Sequence, residues 1–258
     1  DDNINSDDYG KLAKSVCHRK FSVGADGLLV VKNSNVADIE MVYYNSDGSR
    51  ASMCGNGLRC FVKFVYDNNI INKEKIDVDT LDGIKKIKIN LKNKDIDTIT
   101  VNMGQGSFKC SDIPINSNEE IFINKEINVL DEKFIVNCMH MGVPHTVIFV
   151  DDMDMNKIHK YGPLIEKHEI FPEGTNVNFV KIIDEKNILV RTWERGCGYT
   201  LGCGTGITAS VIISNYLKKV KDSVKVTSEG GSIIIDFIDN EAYMTGKAIK
   251  ICEGNLEV

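Results

Sequence analysis

With 258 residues, 42% hydrophobic and 26% charged, the chain has the material for one large core or for two smaller ones sharing a cleft. Its net charge of -6 has the wrong sign for a nucleic-acid binder, which excludes that class of partner, and no run approaches the ~18 apolar residues of a membrane span. Residues 1–5 are acidic and polar, unlike a secretory signal, and the eight cysteines follow no regular spacing, so reduced thiols in a cytoplasmic protein are expected.

Residues 8–19 read as a first helix, with Asp8 as N-cap and Leu12, Val16 and Arg19 at helical spacing. A turn at 22–27 precedes a buried strand at 28–31, and a second strand at 39–44 closes in the turn Asn45-Ser46-Asp47-Gly48-Ser49. Then comes Met53-Cys54-Gly55-Asn56-Gly57-Leu58-Arg59-Cys60, followed by a helix over 58–66 that turns Phe61, Val62, Phe64 and Val65 to a core. Alternating stretches at 75–80, 84–91 and 98–103 read as half-buried strands, with Asp82-Gly83 as a hairpin turn. Gly104-Gln105-Gly106 breaks the pattern and marks a domain boundary, giving one domain of 1–105 plus about 240–258 and another of 106–239.

The second half opens with a strand at 129–139, the turn Met141-Gly142-Val143-Pro144-His145 and a strand at 146–150. A helix over 155–168 is expected to be interrupted at Gly162-Pro163. A loop at 171–176 leads to a hairpin of 177–183 with 188–193. Gly202-Cys203-Gly204-Thr205-Gly206 follows, with a helix at 207–217, strands at 224–227 and 232–238, Tyr243-Met244-Thr245-Gly246 and a final strand. Each half thus runs strands, Cys-Gly-x-Gly, helix, strands, a weak repeat of long period.

A cysteine at a helix N-terminus lies beside unpaired N–H groups and the positive end of the dipole, which favour a thiolate. The same N–H groups can hold a carboxylate, and flanking glycines let a ligand approach the backbone. The bland alternative is that both cysteines are core residues with tight-packing glycines. Glu194-Arg195-Gly196, just before the second motif, favours chemistry, because an arginine there can clamp a carboxylate in a bidentate grip. His145 in its proline turn reads first as a structural residue, and as a tuner of a thiol if one lies beside it. Cys17, Cys110, Cys138 and Cys252 stand singly and read as small buried hydrophobes.

The stretch from Tyr44 through Cys60, Phe171-Pro172-Glu173-Gly174-Thr175-Asn176-Val177, and Glu194 through Gly206, in that order, resemble the diaminopimelate epimerase family, as does Tyr243-Met244-Thr245-Gly246. The resemblance implies an α/β (α+β) fold of two pseudo-symmetric domains, each a curled, mostly antiparallel sheet around a central helix, with the active site in the cleft between them. It implies an epimerase that inverts an amino acid α-carbon with no cofactor and no metal. By similarity Cys54 and Cys203 are the two acid–base catalysts, one as thiolate and one as thiol, with His145 partnering Cys54 and Glu194 partnering Cys203. Asn45, Asn176 and Arg195 hold the substrate, with the backbones of Gly55, Asn56, Gly204 and Thr205 on the reacting carboxylate. Tyr243 matches a tyrosine of the family's dimer interface, which implies a homodimer.

Val143 stands where the family usually has an asparagine facing the distal end of the substrate, and Tyr199 and Gly202 replace the usual glutamate and alanine. Cys197 is also unusual there. The family's Gly-Asn-Asp-Phe strand has no counterpart before Asp8, which implies a chain incomplete at its start or a site without that strand. Two alternatives follow: a racemase of the same fold acting on another amino acid such as histidine, and a thiol-based metal-binding or redox-sensing protein that uses the equal spacing of Cys54 with Cys60 and Cys197 with Cys203.

Overall fold

A computed structural model describes residues 8–256; the acidic opening at 1–5 lies outside them. The fold is mixed α/β, with four helices among the described residues and largely antiparallel strands. It divides into two compact units, one formed by the chain up to Val101 together with the chain from Lys247, the other by Asn102–Gly246.

The first unit contains α1 (Tyr9–Val16), β1 (Gly27–Lys32), β2 (Ile39–Asn45), β3 (Arg50–Ala51), α2 (Gly55–Asp67), β4 (Lys75–Asp79), β5 (Lys85–Lys92) and, as far as Val101, β6 (Asp95–Gly104). β2 pairs antiparallel with β1 and β3 and parallel with β4, and β4, β5 and β6 follow as antiparallel neighbours. Period-two alternation sends Ile76 and Val78, Ile87 and Ile89, and Ile99 and Val101 to one face. In α2, Leu58, Phe61, Val62 and Val65 recur at helical spacing and are buried, each contributing about 1.5–3 kcal/mol.

The second unit contains β7 (Lys125–Val129), β8 (Glu132–His140), β9 (Pro144–Phe149), α3 (Met155–Glu166), β10 (Asn176–Asp184), β11 (Asn187–Glu194), β12 (Gly198–Thr200), α4 (Gly204–Tyr216), β13 (Ser223–Ser228), β14 (Gly231–Ile238) and β15 (Glu241–Gly246). β11 pairs antiparallel with β10 and β12 and parallel with β13, and β13, β14 and β15 are antiparallel neighbours. The run from α3 to β15 therefore has the pairing pattern of the run from α1 to β6. β9 lies parallel to β10 on the other side. α4 packs against β8, β9, β10, β11, β14 and β15, and every residue from Gly206 to Ser214 is buried. Its buried Thr208, Ser210 and Ser214 hydroxyls donate to carbonyls one turn back, at 2.8, 2.7 and 2.6 Å.

Several sequence expectations are corrected. α1 ends at Val16, and Asp8 already has helical backbone angles, so its side chain caps nothing. β1 is half-buried along its whole length. Phe64 is exposed, because it falls off the Leu58–Val65 stripe. The strand expected over 129–139 is two, since Leu130 takes a positive φ and turns a hairpin. α3 runs through Pro163 without a break. Gly162 is there for packing, since a Cβ on it would stand 2.9 Å from the Trp193 ring. Among the described residues no strand follows β15, and Cys252 is exposed.

Candidate active site

In the first unit the glycine-flanked cysteine is a helix cap. Cys54 is extended, and its sulfur accepts the Gly57 N–H at 3.3 Å as α2 begins. Gly57 makes this possible, because a Cβ there would lie 3.3 Å from the Cys54 Cβ and 3.4 Å from Leu29. Gly55 and Asn56 form the first turn behind the thiol. Asn45 closes β2, its amide donating to the Ser49 hydroxyl at 3.0 Å.

Sequence reasoning missed Arg59. Its guanidinium is buried, donating to Asn56 Oδ1 at 2.9 Å and to the Gly55 and Lys247 carbonyls at 3.5 and 3.4 Å. Burial lowers its pKa, and the neighbouring Cys60 and Cys54 pull it back up. It is therefore a fixed cation within electrostatic reach of the Cys54 sulfur. The signal was its place inside the motif, one turn beyond Gly55.

In the second unit Cys203 occupies the N-cap position of α4 with the same extended backbone, but its side chain makes no capping hydrogen bond and is almost fully buried, 3.3 Å from the Thr205 hydroxyl. Burial first, and the Glu194 carboxylate second, push its thiol up to about 12. Glu194 ends β11 and accepts the Thr200 hydroxyl at 2.6 Å. Gly204 and Thr205 make the first turn of α4.

The other predicted residues of this unit are stitched together. Asn176 Oδ1 accepts the Arg195 backbone N–H at 3.0 Å, and its amide nitrogen donates to the Pro144 carbonyl at 2.9 Å. Arg195 reaches the Glu173 carbonyl at 2.9 Å and passes close over Gly174. Glu166, also missed, is buried and accepts the Trp193 indole N–H at 2.7 Å and the Gly196 N–H at 3.0 Å, bracketing Glu194 and Arg195 from below.

His145, the second residue of β9, is fully buried. Its Nδ1 faces the Asn178 amide at 3.2 Å, and among the described residues its Nε2 has no hydrogen-bond partner. Burial, then His140 and Arg195, pull its pKa down to about 3, so it is neutral across the working range. Tyr199 is taken up by packing on His159, and burial with the nearby Glu229 carboxylate pushes its phenol to about 12. The room left by Gly202 holds the Ser228 hydroxyl. Val143 is half-buried in the turn before β9. The Tyr243 hydroxyl donates to Glu241 at 2.9 Å. Cys60 and Cys197 are exposed. Among the described residues no group of three or more His, Cys, Asp or Glu side chains is gathered as metal ligands would be, and no helix is long and apolar enough to cross a membrane.

Residues 1–109 and 137–251 match the sequence model of the family described as Diaminopimelate epimerase. The chain is 49% identical over 249 residues to the diaminopimelate epimerase of Clostridium perfringens (strain 13 / Type A), covering 95% of this chain and 89% of that one. It is 47% identical over 247 residues to that of Alkaliphilus metalliredigens (strain QYMF), covering 95% and 87%. In fold it is similar to a phenazine biosynthesis protein of the PhzF family from Bacillus anthracis, with a TM-score of 0.70 at 19% identity over 100% of this chain and 91% of that one. It is also similar to a hydroxyproline epimerase from Agrobacterium vitis, with a TM-score of 0.68 at 15% identity over 94% and 78%.

Proposed function

The chain belongs to the diaminopimelate epimerase family of isomerases, and on that premise we propose that Cys54 and Cys203 carry out the inversion of LL-2,6-diaminopimelate to the meso form as a two-base pair. The observation that carries this reading is that each cysteine stands with extended backbone at the N-cap position of a helix that opens Gly-x-Gly, in two units of like connectivity. Cys203, held near 12 by burial and Glu194, is the thiol at rest. Cys54, with the Gly57 N–H on its sulfur and the Arg59 cation nearby, is the thiolate. The thiolate takes the α-proton and the thiol delivers its own to the opposite face, so both sulfurs have exchanged state after one turnover, and the reverse reaction uses them in exchanged roles.

An amino acid α-proton is a very weak acid, so the carbanion needs help. The first-turn N–H groups of α2, at Gly55 and Asn56, and of α4, at Gly204 and Thr205, are the source of that help, acting on the reacting carboxylate as charge develops. Asn45, Asn176 and Arg195 position the substrate, and His145 and Glu194 tune Cys54 and Cys203 respectively. The same reading takes each compact unit as one epimerase domain, a curled sheet around a central helix. It also takes the protein as cytoplasmic and as a homodimer with Tyr243 at its interface.

Exchange of the α-proton in deuterated water, followed for a panel of amino acids, tests this. Diaminopimelate is expected to exchange and invert, and Cys54→Ala or Cys203→Ala to abolish inversion. Exchange of another amino acid with diaminopimelate inert would defeat the substrate assignment, and full inversion by either variant would defeat the two-base mechanism.

A further inference from the structure

Beside His145 lies the fully buried side chain of Asn178, on β10. Its amide nitrogen lies 3.2 Å from His145 Nδ1, 3.3 Å from the Thr146 carbonyl and 3.4 Å from the Asn176 carbonyl. Its oxygen accepts the Thr192 hydroxyl at 3.0 Å. The two backbone carbonyls can only accept, so the group facing them must be the NH2, and the orientation of the amide follows from chemistry alone. A donor therefore points at His145 Nδ1, and Nδ1 must present a lone pair.

We propose that Asn178 is a positioning residue that fixes His145 as its Nε2–H tautomer, so that His145 acts toward a reacting thiol as a hydrogen-bond donor and never as a proton carrier. The catalytic half of this statement rests on the reading of His145 given above. With Nδ1 capped by an amide donor and Nε2 already bearing hydrogen, the ring has no free basic site. A proton arriving at Nδ1 would meet the N–H of Asn178 head-on, and burial acts in the same direction. Among the described residues Nε2 is then a buried donor without an acceptor, an arrangement that has a use if the acceptor is a thiolate.

Two further contacts show that the amide is held and not merely accommodated. Gly206, the last glycine of the second cysteine motif, faces Asn178 so closely that a Cβ would stand 2.3 Å from its oxygen. Any side chain at 206 would drive the amide off His145. Thr146, whose carbonyl takes one of the amide contacts, is itself tied to Thr175 at 2.9 Å and to the Cys138 sulfur at 3.4 Å. One residue thus connects the histidine on β9 with the helix that carries Cys203.

Nitrogen-15 NMR on wild-type protein labelled in both its histidine and its asparagine side chains tests the assignment. Long-range proton–nitrogen spectra of His145 are expected to show a protonated Nε2 and a lone-pair Nδ1, unchanged between pH 5 and 9, with a through-bond coupling from Asn178 Nδ2 to His145 Nδ1. A protonated Nδ1, or no such coupling, would overturn the proposal without any variant having to fold. In Asn178→Asp the carboxylate is expected to move the hydrogen to Nδ1 and to lower kcat roughly a hundredfold, the lower end of what a positioned acid–base group contributes, with little change in KM. A folded Asn178→Asp protein with the wild-type histidine signature would likewise overturn it. His145→Gln, which keeps an N–H at the Nε2 position, is expected to retain more activity than His145→Asn; the reverse order overturns the donor role. If the tautomer is as stated but His145→Ala inverts substrate at the wild-type rate, the assignment of Asn178 stands and the reading of His145 as a partner of the thiol falls.

Discussion

The buried carboxylate of Glu166 accepts the indole N–H of Trp193 at 2.7 Å and, through its other oxygen, the backbone N–H of Gly196 at 3.0 Å. Trp193 and Gly196 flank Glu194 and Arg195 in sequence, so a residue at the end of α3 sets the position of the two charged groups nearest the second cysteine motif.

Removing that carboxylate leaves two donors without acceptors. Glu166→Ala is expected to cost about 1–3 kcal/mol, the cost of leaving the half-buried Trp193 indole N–H without an acceptor, since Gly196 is exposed and its N–H can turn to water. Glu166→Gln keeps one acceptor oxygen and should recover part of the loss. Urea unfolding of the three proteins measures this, and equal midpoints for wild type and Glu166→Ala would contradict it.

Stability should fall on both sides of neutral pH, for separate reasons. His145 is depressed from 6.5 to about 3, so the unfolded chain gains a proton that the folded chain refuses as pH falls through that window, and stability drops. Cys138 and Cys203 are raised from 9.0 to about 12, so as pH climbs through that interval the unfolded thiols ionise while the folded ones do not, and stability drops again. His145→Gln should flatten the acid limb and Cys138→Val the alkaline limb of melting temperature against pH. An unchanged slope in either variant would rule out that group as the cause.

Arg59 is the cation closest in role to the Cys54 sulfur. Arg59→Met is expected to slow alkylation of Cys54 by iodoacetamide at neutral pH roughly tenfold, the scale of one lost opposite charge, and to lower turnover with it. Peptide mapping of the alkylated protein assigns the rate to Cys54. A rate unchanged in the variant would show that the helix terminus and not Arg59 activates the thiol.

Two glycines of the second motif should respond differently to the same substitution. Gly206→Ala meets the fixed Asn178 amide at 2.3 Å, and relieving that clash is expected to cost about 3 kcal/mol or more. Gly202→Ala meets the Ser228 hydroxyl at 2.9 Å, which can rotate away, and should cost less than about 1 kcal/mol. Thermal or urea unfolding separates the two, and the opposite order would mean that Asn178 is mobile.

How far the sequence was legible depended on what kind of signal each residue leaves. Cys54 and Cys203 were found because a cysteine followed by Gly-x-Gly and an apolar helical run leaves a local mark, and α2 and α4 begin at the glycines that follow them. Strand alternation placed most of the β elements of both units. Asn178 was missed because alternation misleads there. Asn176 and Asn178 occupy every other position of β10, as solvent-facing residues do, yet both are buried on the side that receives α4 and the 194–196 turn. Glu166 was missed because a glutamate near the end of a helix ordinarily faces water. The expected break at Gly162-Pro163 is absent, and the role of Gly162 was hidden because it is fitted to Trp193, a contact distant in sequence.

α4 is enclosed on every side from Gly206 to Ser214, whereas α2 keeps a wet face that includes Phe64 and Cys60. Backbone amides along α4 can then exchange with solvent only when its whole unit opens, while those on the outer face of α2 can exchange through small local excursions. The thiol of Cys203 is therefore carried by a support that shifts only on the slow clock of unfolding.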